Sequence, residues 1–376
     1  MNEIDRLLQD LIRIPSVNPD DDPDTAPGGE KKVAEYVAAF LEPLGFEIVL
    51  EEISPNRPNL IARAPGPDGR PRILLGPHLD TVGIAGMSID PFSGEISNGK
   101  IHGRGASDTK GPMAAMLWGL RENAGILAEL PVAVDFVAFM GEESNQPGSI
   151  HFAKKHAHHY QFAIVGEPTS LHAVHSTKGC LWATIEARGI ATHASQPQLG
   201  ENAILKLARA LIPLQEVLEK SFSDFPHPLL GAPTLNIGTF HAGTRPNIVP
   251  DLAQARLDIR TNPEFVKNRS CEETLAVFLK EIAPQLVLTQ ISEYPPMQTP
   301  ADNIWLQILQ KIHPQMKLVG APWFSDAAHL AAVGLPSICL GPGSIDQAHT
   351  KDEFINQADL RSGASFFSKL IRDLSK

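Results

Sequence analysis

RILLGPHLD (residues 72–80) is a short apolar run that ends in a histidine and an aspartate. PVAVDFVAFM (131–140) and FAIVGEP (162–168) have the same form, and a glutamate follows the apolar part of each. Between the first two runs lies DTKGPMAAMLWGL (108–120), whose alanine, methionine and leucine content is typical of a buried helix. Short apolar strands that alternate with helices indicate an α/β layer with a mostly parallel central sheet.

Other segments of the chain extend this α/β layer. Residues 4–12 have the apolar spacing of an amphipathic helix, and the proline- and aspartate-rich stretch 20–29 is typical of a polar loop. The remaining elements expected of the layer are a helix from about Glu30, strands at 46–53, 59–64 and 335–343, and a final helix at 359–374.

The pattern changes from about Thr177, where apolar and polar residues alternate as in strands with one exposed face. The strands expected there are 178–189, 234–240, 253–260 and 285–294, with helices at 202–218 and 263–282. We therefore expect one α/β domain formed by 1–176 and 294–376. A smaller α+β domain, 177–293, interrupts it with two helices on an antiparallel sheet. YPPMQTP (294–300) is the predicted linker between them.

Composition excludes several classes of function. The chain has 376 residues, and 32 Lys and Arg against 43 Asp and Glu give a net charge of −11. This charge argues against nucleic acid or an anionic membrane as the main partner. The three cysteines are far apart in sequence, which favours a reducing compartment. The first residues lack a signal-peptide pattern, and no apolar run approaches the ~18 residues of a membrane span. These features predict a cytoplasmic protein.

Side chains of metal-binding types follow the predicted strands, except Asp108, which lies in a glycine-flanked turn before a helix. Taken singly, each has an ordinary explanation as a surface pair, a helix cap or a turn. Together they are informative, because the carboxyl ends of parallel strands meet at one edge of a sheet, where ligands bind. The residues at these positions are His78, Asp80, Asp108, Glu142, Glu143, Glu167 and His349.

The types of these side chains indicate which cation they bind. Two imidazoles with several carboxylates and no thiolate favour zinc, cobalt or manganese over a magnesium or calcium site. The set is too large for one open catalytic zinc, but it suits two metals about 3.5–4 Å apart with a bridging carboxylate. A nearby carboxylate that is not a ligand can take the proton of an attacking water. The sequence therefore predicts metal-assisted hydrolysis.

The motifs that contain these residues occur in a fixed order over about residues 72–356. They are HLDTV, GRGASDTKGPMAAM, GEES, GEPT, GIATHASQPQLGENAI, RPNIVP with LDIR, FSDAAHL and GPGSIDQAHTKDEFI. This ordered set resembles the di-zinc metallopeptidase and aminoacylase family of acetylornithine deacetylase, succinyl-diaminopimelate desuccinylase and carboxypeptidase G. The resemblance implies a zinc-peptidase-like catalytic domain, 1–176 with 294–376, and a dimerisation or lid domain, 177–293.

The resemblance also implies a role for each residue of the large domain. His78 and Glu167 correspond to ligands of one metal, and Glu143 and His349 to ligands of the other. Asp108 corresponds to the ligand that bridges two Zn²⁺ ions, for which Co²⁺ or Mn²⁺ can substitute. The two remaining residues are Asp80, which orients the ring of His78, and Glu142, which corresponds to the general base.

In the inserted domain, His193 resembles the residue that reaches the site of a neighbouring subunit and stabilises the oxyanion. Asn247 and Arg260 resemble groups that bind the substrate carboxylate. A homodimer formed through the inserted domain is therefore expected. The sequence departs from the family pattern at Pro77, at Gly83 and in the loop 144–149 that follows Glu143. These departures affect the expected fit of the substrate and leave every expected metal ligand in place.

The expected reaction is hydrolysis of the amide bond of a small-molecule N-acyl amino acid. The tail GPGSIDQAH (341–349) is most similar to acetylornithine deacetylases, which favours N-acetylornithine and a role in arginine biosynthesis. Succinyl-diaminopimelate desuccinylase is the second hypothesis, and dipeptidase or carboxypeptidase action is the third. A catalytically silent binding or scaffold protein is disfavoured because all the expected ligands and the base are present. A two-metal phosphohydrolase is disfavoured because no phosphate-binding glycine-rich or basic loop is evident.

Overall fold

The structure, a computed structural model, describes residues 2–20, 22 and 28–375. Most of the polar loop expected at 20–29 lies outside the described residues. The described residues form the α-helices α1 Glu3–Ile12, α2 Gly29–Leu41, α3 Lys110–Glu122, α4 Pro147–His156, α5 Ala203–Phe222, α6 Pro263–Val266, α7 Cys271–Ile282, α8 Ile304–Ile312, α9 Ala327–Ala332 and α10 Gln357–Asp373. They also form the strands β1 Glu47–Ser54, β2 Arg57–Arg63, β3 Arg72–Gly76, β4 Ile96–Ser97, β5 Lys100–His102, β6 Ala133–Ala138, β7 Phe162–Val165, β8 Ala173–Thr177, β9 Gly179–Arg188, β10 Thr234–Ala242, β11 Leu252–Thr261, β12 Val287–Tyr294, β13 Met297–Gln298, β14 Leu318–Ala321, β15 Ser337–Cys339 and β16 Phe354–Asn356.

Contacts within the chain define two compact units. The first consists of Met1–His175, Thr299–Val319 and Ser325–Lys376. The second consists of Ser176–Gln298 and Gly320–Phe324. The second unit is therefore built mainly from one internal stretch of the chain, and the first unit is discontinuous in sequence.

The first unit is built on a sheet with the strand order β1-β2-β6-β3-β7-β15-β8. The four strands β6, β3, β7 and β15 run parallel to one another. β1, β2 and β8 pair in the antiparallel sense on either side of them. Every residue of β6 and β7 is buried, which explains why the two strands are continuous apolar runs in the sequence. The predicted α/β fold with a parallel central sheet is confirmed.

Helices of this unit complete its hydrophobic core. α1, α3 and α10 pack on one another, and α4 packs on α9. Leu8, Leu117 and Phe367 are fully buried in the same cluster. A small sheet of order β16-β5-β4 was not predicted. Its strands have only two or three residues, and such short segments carry no measurable periodicity.

The second unit contains an antiparallel sheet of order β10-β11-β9-β12. α5 and α7 share a hydrophobic core with one face of this sheet, as expected for the smaller α+β domain. The single helix predicted over 263–282 is wrong, because the structure has α6 and α7 separated by a break. The Ser270 side chain accepts the N–H of Glu273 at 3.2 Å and begins a new helix at that point.

The predicted linker 294–300 is also more regular than expected. It contains β13, whose residues Met297 and Gln298 pair with Thr177 and Ser176 of β8. The prolines at 295 and 296 precede this strand, so they do not interrupt its hydrogen bonds. In the described part of the chain, no helix combines the length and the apolar character needed to cross a membrane.

Candidate metal centre

Candidate ligands of the first unit meet at one edge of its sheet. His78 follows β3, Glu142 and Glu143 follow β6, and Glu167 follows β7. β6, β3 and β7 are adjacent and parallel, and a bridge between His78 and Phe139 extends the pairing of β3 with β6 towards the site. Carboxyl ends of adjacent parallel strands lie side by side. Residues that are far apart in the sequence are therefore neighbours here.

Together with Asp108 and His349, these side chains form three close groups, in each of which the ligand atoms lie within 4.8 Å of one another. The groups are His78 with Glu142 and Glu143, His78 with Asp108 and Glu167, and Asp108 with Glu143 and His349. Two of the groups share Asp108. The Asp108 carboxylate is thus grouped with two pairs of donors, His78 with Glu167 and Glu143 with His349. Glu142 is grouped with one member of each pair, His78 and Glu143.

Asp108 contacts both histidines of the cluster. Its Oδ1 atom lies 3.0 Å from Nε2 of His78, and its Oδ2 atom lies 3.4 Å from Nε2 of His349. Nε2 of His349 is also 3.1 Å from Oε2 of Glu143. The backbone of His349 has a φ of 62°, a left-handed conformation that a residue with a Cβ seldom adopts. Residues held in such conformations are frequent at functional sites.

Asp80 fixes the loop that carries Glu142 and Glu143. Its carboxylate accepts the backbone N–H groups of both residues, each at 3.0 Å, and the side-chain amide of Asn18 at 2.8 Å. Its own carbonyl oxygen lies 3.1 Å from Nδ1 of His78, closer than its carboxylate at 3.4 Å. The main chain of Asp80 therefore orients the His78 ring, while the carboxylate organises the neighbouring loop.

A buried ion pair between Glu30 and Arg57 supports the same loop. Nη2 of Arg57 donates to Oδ1 of Asn18 at 3.2 Å, and Oε1 of Glu30 accepts the N–H of Gly141 at 2.9 Å. Burial, reinforced by the charge of Asp80, raises the pKa of Glu30 to about 7. No motif marks these residues, and they were not predicted from the sequence.

Glu353 holds the turn that presents Asp108, and it was also missed. Its carboxylate is fully buried and accepts the backbone N–H groups of Gly105, Ser107 and Asp108 at 3.0, 2.9 and 3.0 Å. It also forms an ion pair with Arg104 at 2.8 Å. The pairing of β16 with β5 brings Glu353 to this turn. Its position in the quoted tail motif, four residues after His349, was the available signal.

A further buried carboxylate of the site belongs to Asp326, in the motif FSDAAHL. Its Oδ1 atom accepts the hydroxyl of Ser149 at 2.5 Å. Burial raises the pKa of Asp326 to about 7, and its negative charge contributes to the raised pKa values of Glu142 and Glu167. The motif was recognised in the sequence, but no role was assigned to this residue.

Burial dominates the acid–base properties of the cluster. It raises the pKa of Glu143 to about 7, and it raises the pKa values of Glu142 and Glu167 well above their usual range. Hydrogen bonds with Asp108 and Glu143 raise the pKa of His349 to about 10. Carboxyl groups and an imidazole that retain protons in this way are in surroundings that favour added positive charge. Bound cations commonly supply such charge.

The donor atoms suit a divalent metal. The three groups contain imidazole and carboxylate ligands and no thiolate, a combination that zinc, cobalt and manganese accept. Oε1 of Glu143 is buried and has no hydrogen-bond partner among the described residues. Such an atom is unfavourable in a protein interior unless something binds it. The residues present therefore fit a metal centre.

In the second unit, the structure brings two of the three expected substrate-contacting residues together. His193 forms a bridge with Ile248, and the carbonyl of Asn247 accepts the N–H of Ala194 at 3.0 Å. The side chains of both His193 and Asn247 are exposed. Their two segments follow β9 and precede β11, so they lie at the same end of the antiparallel sheet.

Arg260 lies near the other end of the same sheet, opposite Cys180. Eight residue steps of β9 separate Cys180 from Arg188, a distance of roughly 26 Å along the strand. Arg260 is half-buried, and it forms a two-point ion pair with Asp258 at 2.8 and 2.9 Å. Within one chain, Arg260 is therefore far from His193 and Asn247.

A sheet edge that gathers imidazole and carboxylate ligands around a shared aspartate is the arrangement of a metal-dependent hydrolase. The model of Peptidase family M20/M25/M40 matches residues 74–373, and the chain belongs to this family. The resemblance inferred from the ordered motifs is confirmed.

The relatives of the chain agree with this family. Acetylornithine deacetylase of Proteus mirabilis is 29% identical over 375 residues, which cover 98% of this chain and 95% of the relative. The M20 family metallo-carboxypeptidase Sso-CP2 of Sulfolobus solfataricus has a TM-score of 0.80 at 19% identity and covers 100% of both chains. The Bacillus subtilis YXEP protein, a dinuclear metal binding peptidase, has a TM-score of 0.70 at 16% identity and covers 99% of this chain and 98% of its own. These structures share the fold.

Proposed function

We propose that the protein is a deacylase that hydrolyses the amide bond of an N-acyl amino acid, with N-acetylornithine as its first candidate substrate. The observation that carries this proposal is the sharing of Asp108 by two groups of ligand atoms with Glu142 beside them. Such a site can hold two metals and a proton-transferring carboxylate around one reacting water.

In this proposal His78, Asp108 and Glu167 hold one Zn²⁺, and Asp108, Glu143 and His349 hold the second. Co²⁺ or Mn²⁺ would be accepted by the same ligands. When bound, metals at such a site polarise the scissile carbonyl and lower the pKa of water.

Glu142 moves the proton in the proposed mechanism. Its carboxylate removes a proton from water as the oxygen attacks the amide carbon, and it then gives that proton to the departing nitrogen. The C–O bond forms and the C–N bond breaks, so the products are a carboxylic acid and the free amino acid. The burial that raises its pKa favours this role, because a base that must also act as an acid needs a pKa near the working pH.

His193 is proposed to stabilise the oxyanion of the tetrahedral intermediate. Its Nδ1 atom accepts the backbone N–H of Ser195 at 3.2 Å. With Nδ1 acting as an acceptor, the ring hydrogen lies on Nε2, where it can be donated to the substrate. Asn247 and Arg260 are proposed to bind the substrate carboxylate, Arg260 through its planar fork.

These assignments require two copies of the chain. Roughly 26 Å of strand separates Arg260 from the end of the sheet near Asn247. Asn247 and Arg260 of one chain therefore cannot bind the same carboxylate. We therefore infer a homodimer formed through the inserted domain, in which His193 and Asn247 serve the site of the partner. Twofold dimers are the most common oligomers and satisfy this requirement in both sites at once.

The proposed substrate rests on the tail motif GPGSIDQAH and on relatives named acetylornithine deacetylase. The test is release of primary amine by the zinc- or cobalt-loaded protein from N-acetylornithine, N-succinyl-diaminopimelate, N-acetylmethionine and several dipeptides, with and without chelator. Chelator-sensitive turnover of an N-acyl amino acid supports the proposed reaction, and the preferred substrate identifies the acyl group. If the protein binds two metals and cleaves none of these compounds, the proposed substrate class is contradicted.

A further inference from the structure

Gln146 and His329 form a hydrogen-bonded chain that leads to Glu142. Nε2 of Gln146 donates to Oε1 of Glu142 at 3.0 Å, and Nε2 of His329 lies 3.0 Å from Oε1 of Gln146. Gln146 is 7% exposed and His329 is 8% exposed. Gln146 and His329 are therefore linked in the protein interior, where a misdirected polar group is costly, and Glu142 is half-buried.

The backbone around Gln146 leaves this residue little freedom. Its φ of 50° is in the left-handed region, and its N–H donates to the carbonyl of Gly141 at 3.0 Å. The N–H of Gly148, at the start of α4, donates to the carbonyl of Met140 at 3.1 Å. A Cβ on Gly148 would lie 2.4 Å from that oxygen, so only glycine permits this approach. The loop between Glu142 and α4 is thereby fixed at both ends.

The chemistry of the three groups sets the direction of each hydrogen bond. The amide nitrogen of Gln146 faces Oε1 of Glu142, so this hydrogen bond uses the donor end of the amide. The amide oxygen then faces His329, whose ring must carry its hydrogen on Nε2. Burial, together with the charge of Lys154, lowers the pKa of His329 to about 4, which keeps the ring neutral. A neutral ring with a fixed tautomer holds the amide in one orientation.

We propose that Gln146, held in place by His329, is a positioning residue that aims the carboxylate of Glu142 at the reacting water. This inference rests on the proposed role of Glu142 as the base, and it assigns a function to the loop 144–149 in which the sequence departs from the family pattern. Fixing one oxygen of the carboxylate leaves the other available for proton transfer. Small misplacements of a catalytic group are costly in rate.

The test compares four variants in the metal-loaded enzyme. Gln146→Met keeps the size of the side chain and removes both hydrogen bonds. His329→Leu removes the donor that holds the amide, and His329→Gln keeps an amide nitrogen near the position of Nε2. The fourth is the double variant Gln146→Met with His329→Leu. Gln161→Ala, at an exposed glutamine of the same unit, is the matched control.

We expect kcat to fall roughly ten- to hundredfold in Gln146→Met and in His329→Leu, with KM changed less than twofold and the metal content unchanged. The double variant should be no slower than the slower single variant, because both changes break the same chain. His329→Gln should recover most of the rate lost in His329→Leu. The control should match the wild type.

Multiplicative losses in the double variant, or an unchanged kcat in Gln146→Met, would overturn the inference. A second readout is the ¹⁵N spectrum of the His329 ring, assigned by its absence from His329→Gln. It should show a neutral ring protonated on Nε2 in the wild type and loss of this fixed state in Gln146→Met. An Nδ1-protonated ring in the wild type would contradict the inference. If the wild type cleaves no N-acyl amino acid, the proposed function fails, and the spectrum still tests the hydrogen-bonded chain.

Discussion

Oδ2 of Asp80 accepts the backbone N–H of Glu143 at 3.0 Å. The loop that follows β6 is therefore fixed by a residue that follows the adjacent strand β3. The resemblance implies that the carboxylate of Asp80 orients the ring of His78. In the structure, the backbone carbonyl of Asp80 lies nearest that ring, and the carboxylate of Asp80 sets the position of Glu142, the proposed base, and Glu143, a proposed ligand. Its contacts with the candidate metal centre are therefore more extensive than a hydrogen bond to one histidine.

Asp80→Asn should weaken both metal binding and turnover. An asparagine offers one acceptor oxygen in place of two, and its NH₂ group would face a backbone N–H. We expect a loss of roughly ten- to hundredfold in metal affinity and in kcat. Metal titration and amine release on the same sample measure the two losses. Asp68→Asn, at an exposed aspartate, is the control, and wild-type metal affinity in Asp80→Asn would contradict this interpretation.

Glu353→Gln should destabilise the fold around Asp108. The substitution leaves Arg104 without its buried partner and places an NH₂ group against backbone N–H donors. We expect the free energy of unfolding to fall by about 3 kcal/mol. Urea unfolding in the presence of chelator measures this change separately from metal affinity. Asp352→Asn, at the exposed neighbouring residue, should have little effect; an equal loss in both variants would show that the buried contacts of Glu353 are unimportant.

The fold class and the clustering of the candidate ligand residues were predictable because each follows from local sequence. The apolar runs of β3, β6 and β7 are visible in the sequence, and the residues that follow them must lie at one edge of a parallel sheet. Asp108 was predicted from its glycine-flanked turn before a helix, and His349 from the strand that precedes it. The break between α6 and α7 was not predicted, although the polar stretch KNRS (267–270) interrupts the apolar spacing there and the Ser270 side chain caps the new helix.

The supporting residues could not be predicted in the same way. Glu353 hydrogen-bonds to Ser107 across 246 positions in the sequence, and Gln146 meets His329 across 183 positions. These contacts depend on short strands and loops that bring distant segments together, and such elements have no periodic signal. A buried carboxylate or histidine of this kind looks like any surface residue until its partner is known.

Two inactive variants should complement each other if His193 acts on the site of the partner subunit. His193→Ala and Arg260→Ala should each be nearly inactive. In a heterodimer of the two, the site of the His193→Ala subunit has its own Arg260 and receives the unchanged His193 of the Arg260→Ala subunit. After random reassociation, mixing should restore about a quarter of the wild-type activity. A monomer in sedimentation, or no recovery from reassociated subunits, would contradict the proposed arrangement.

The stability of the protein should depend on pH through His329. Its pKa is about 4 in the folded protein, against an ordinary value of 6.5, so between these values the unfolded chain binds a proton that the folded protein does not. Stability is therefore lost as the pH falls from 6.5 towards 4. From pH 8 to pH 5, the wild type should lose about 2 kcal/mol more than His329→Gln.

Urea unfolding of both proteins at the two pH values, with chelator present, checks the effect of His329. His158→Gln, at an exposed histidine, should follow the wild type. Parallel pH dependences for the wild type and His329→Gln would show that His329 is not held neutral in the folded protein.

The most direct test of the account compares wild-type protein with Glu142→Gln for metal content and amine release together. Gln has the shape of Glu but cannot take a proton from water, and Glu142 is not among the residues proposed to hold the metals. The account predicts two metal ions per chain in both proteins and a fall in kcat of at least about 100-fold in the variant. Turnover close to that of the wild type, with both metals bound, would contradict the central claim that Glu142 is the base.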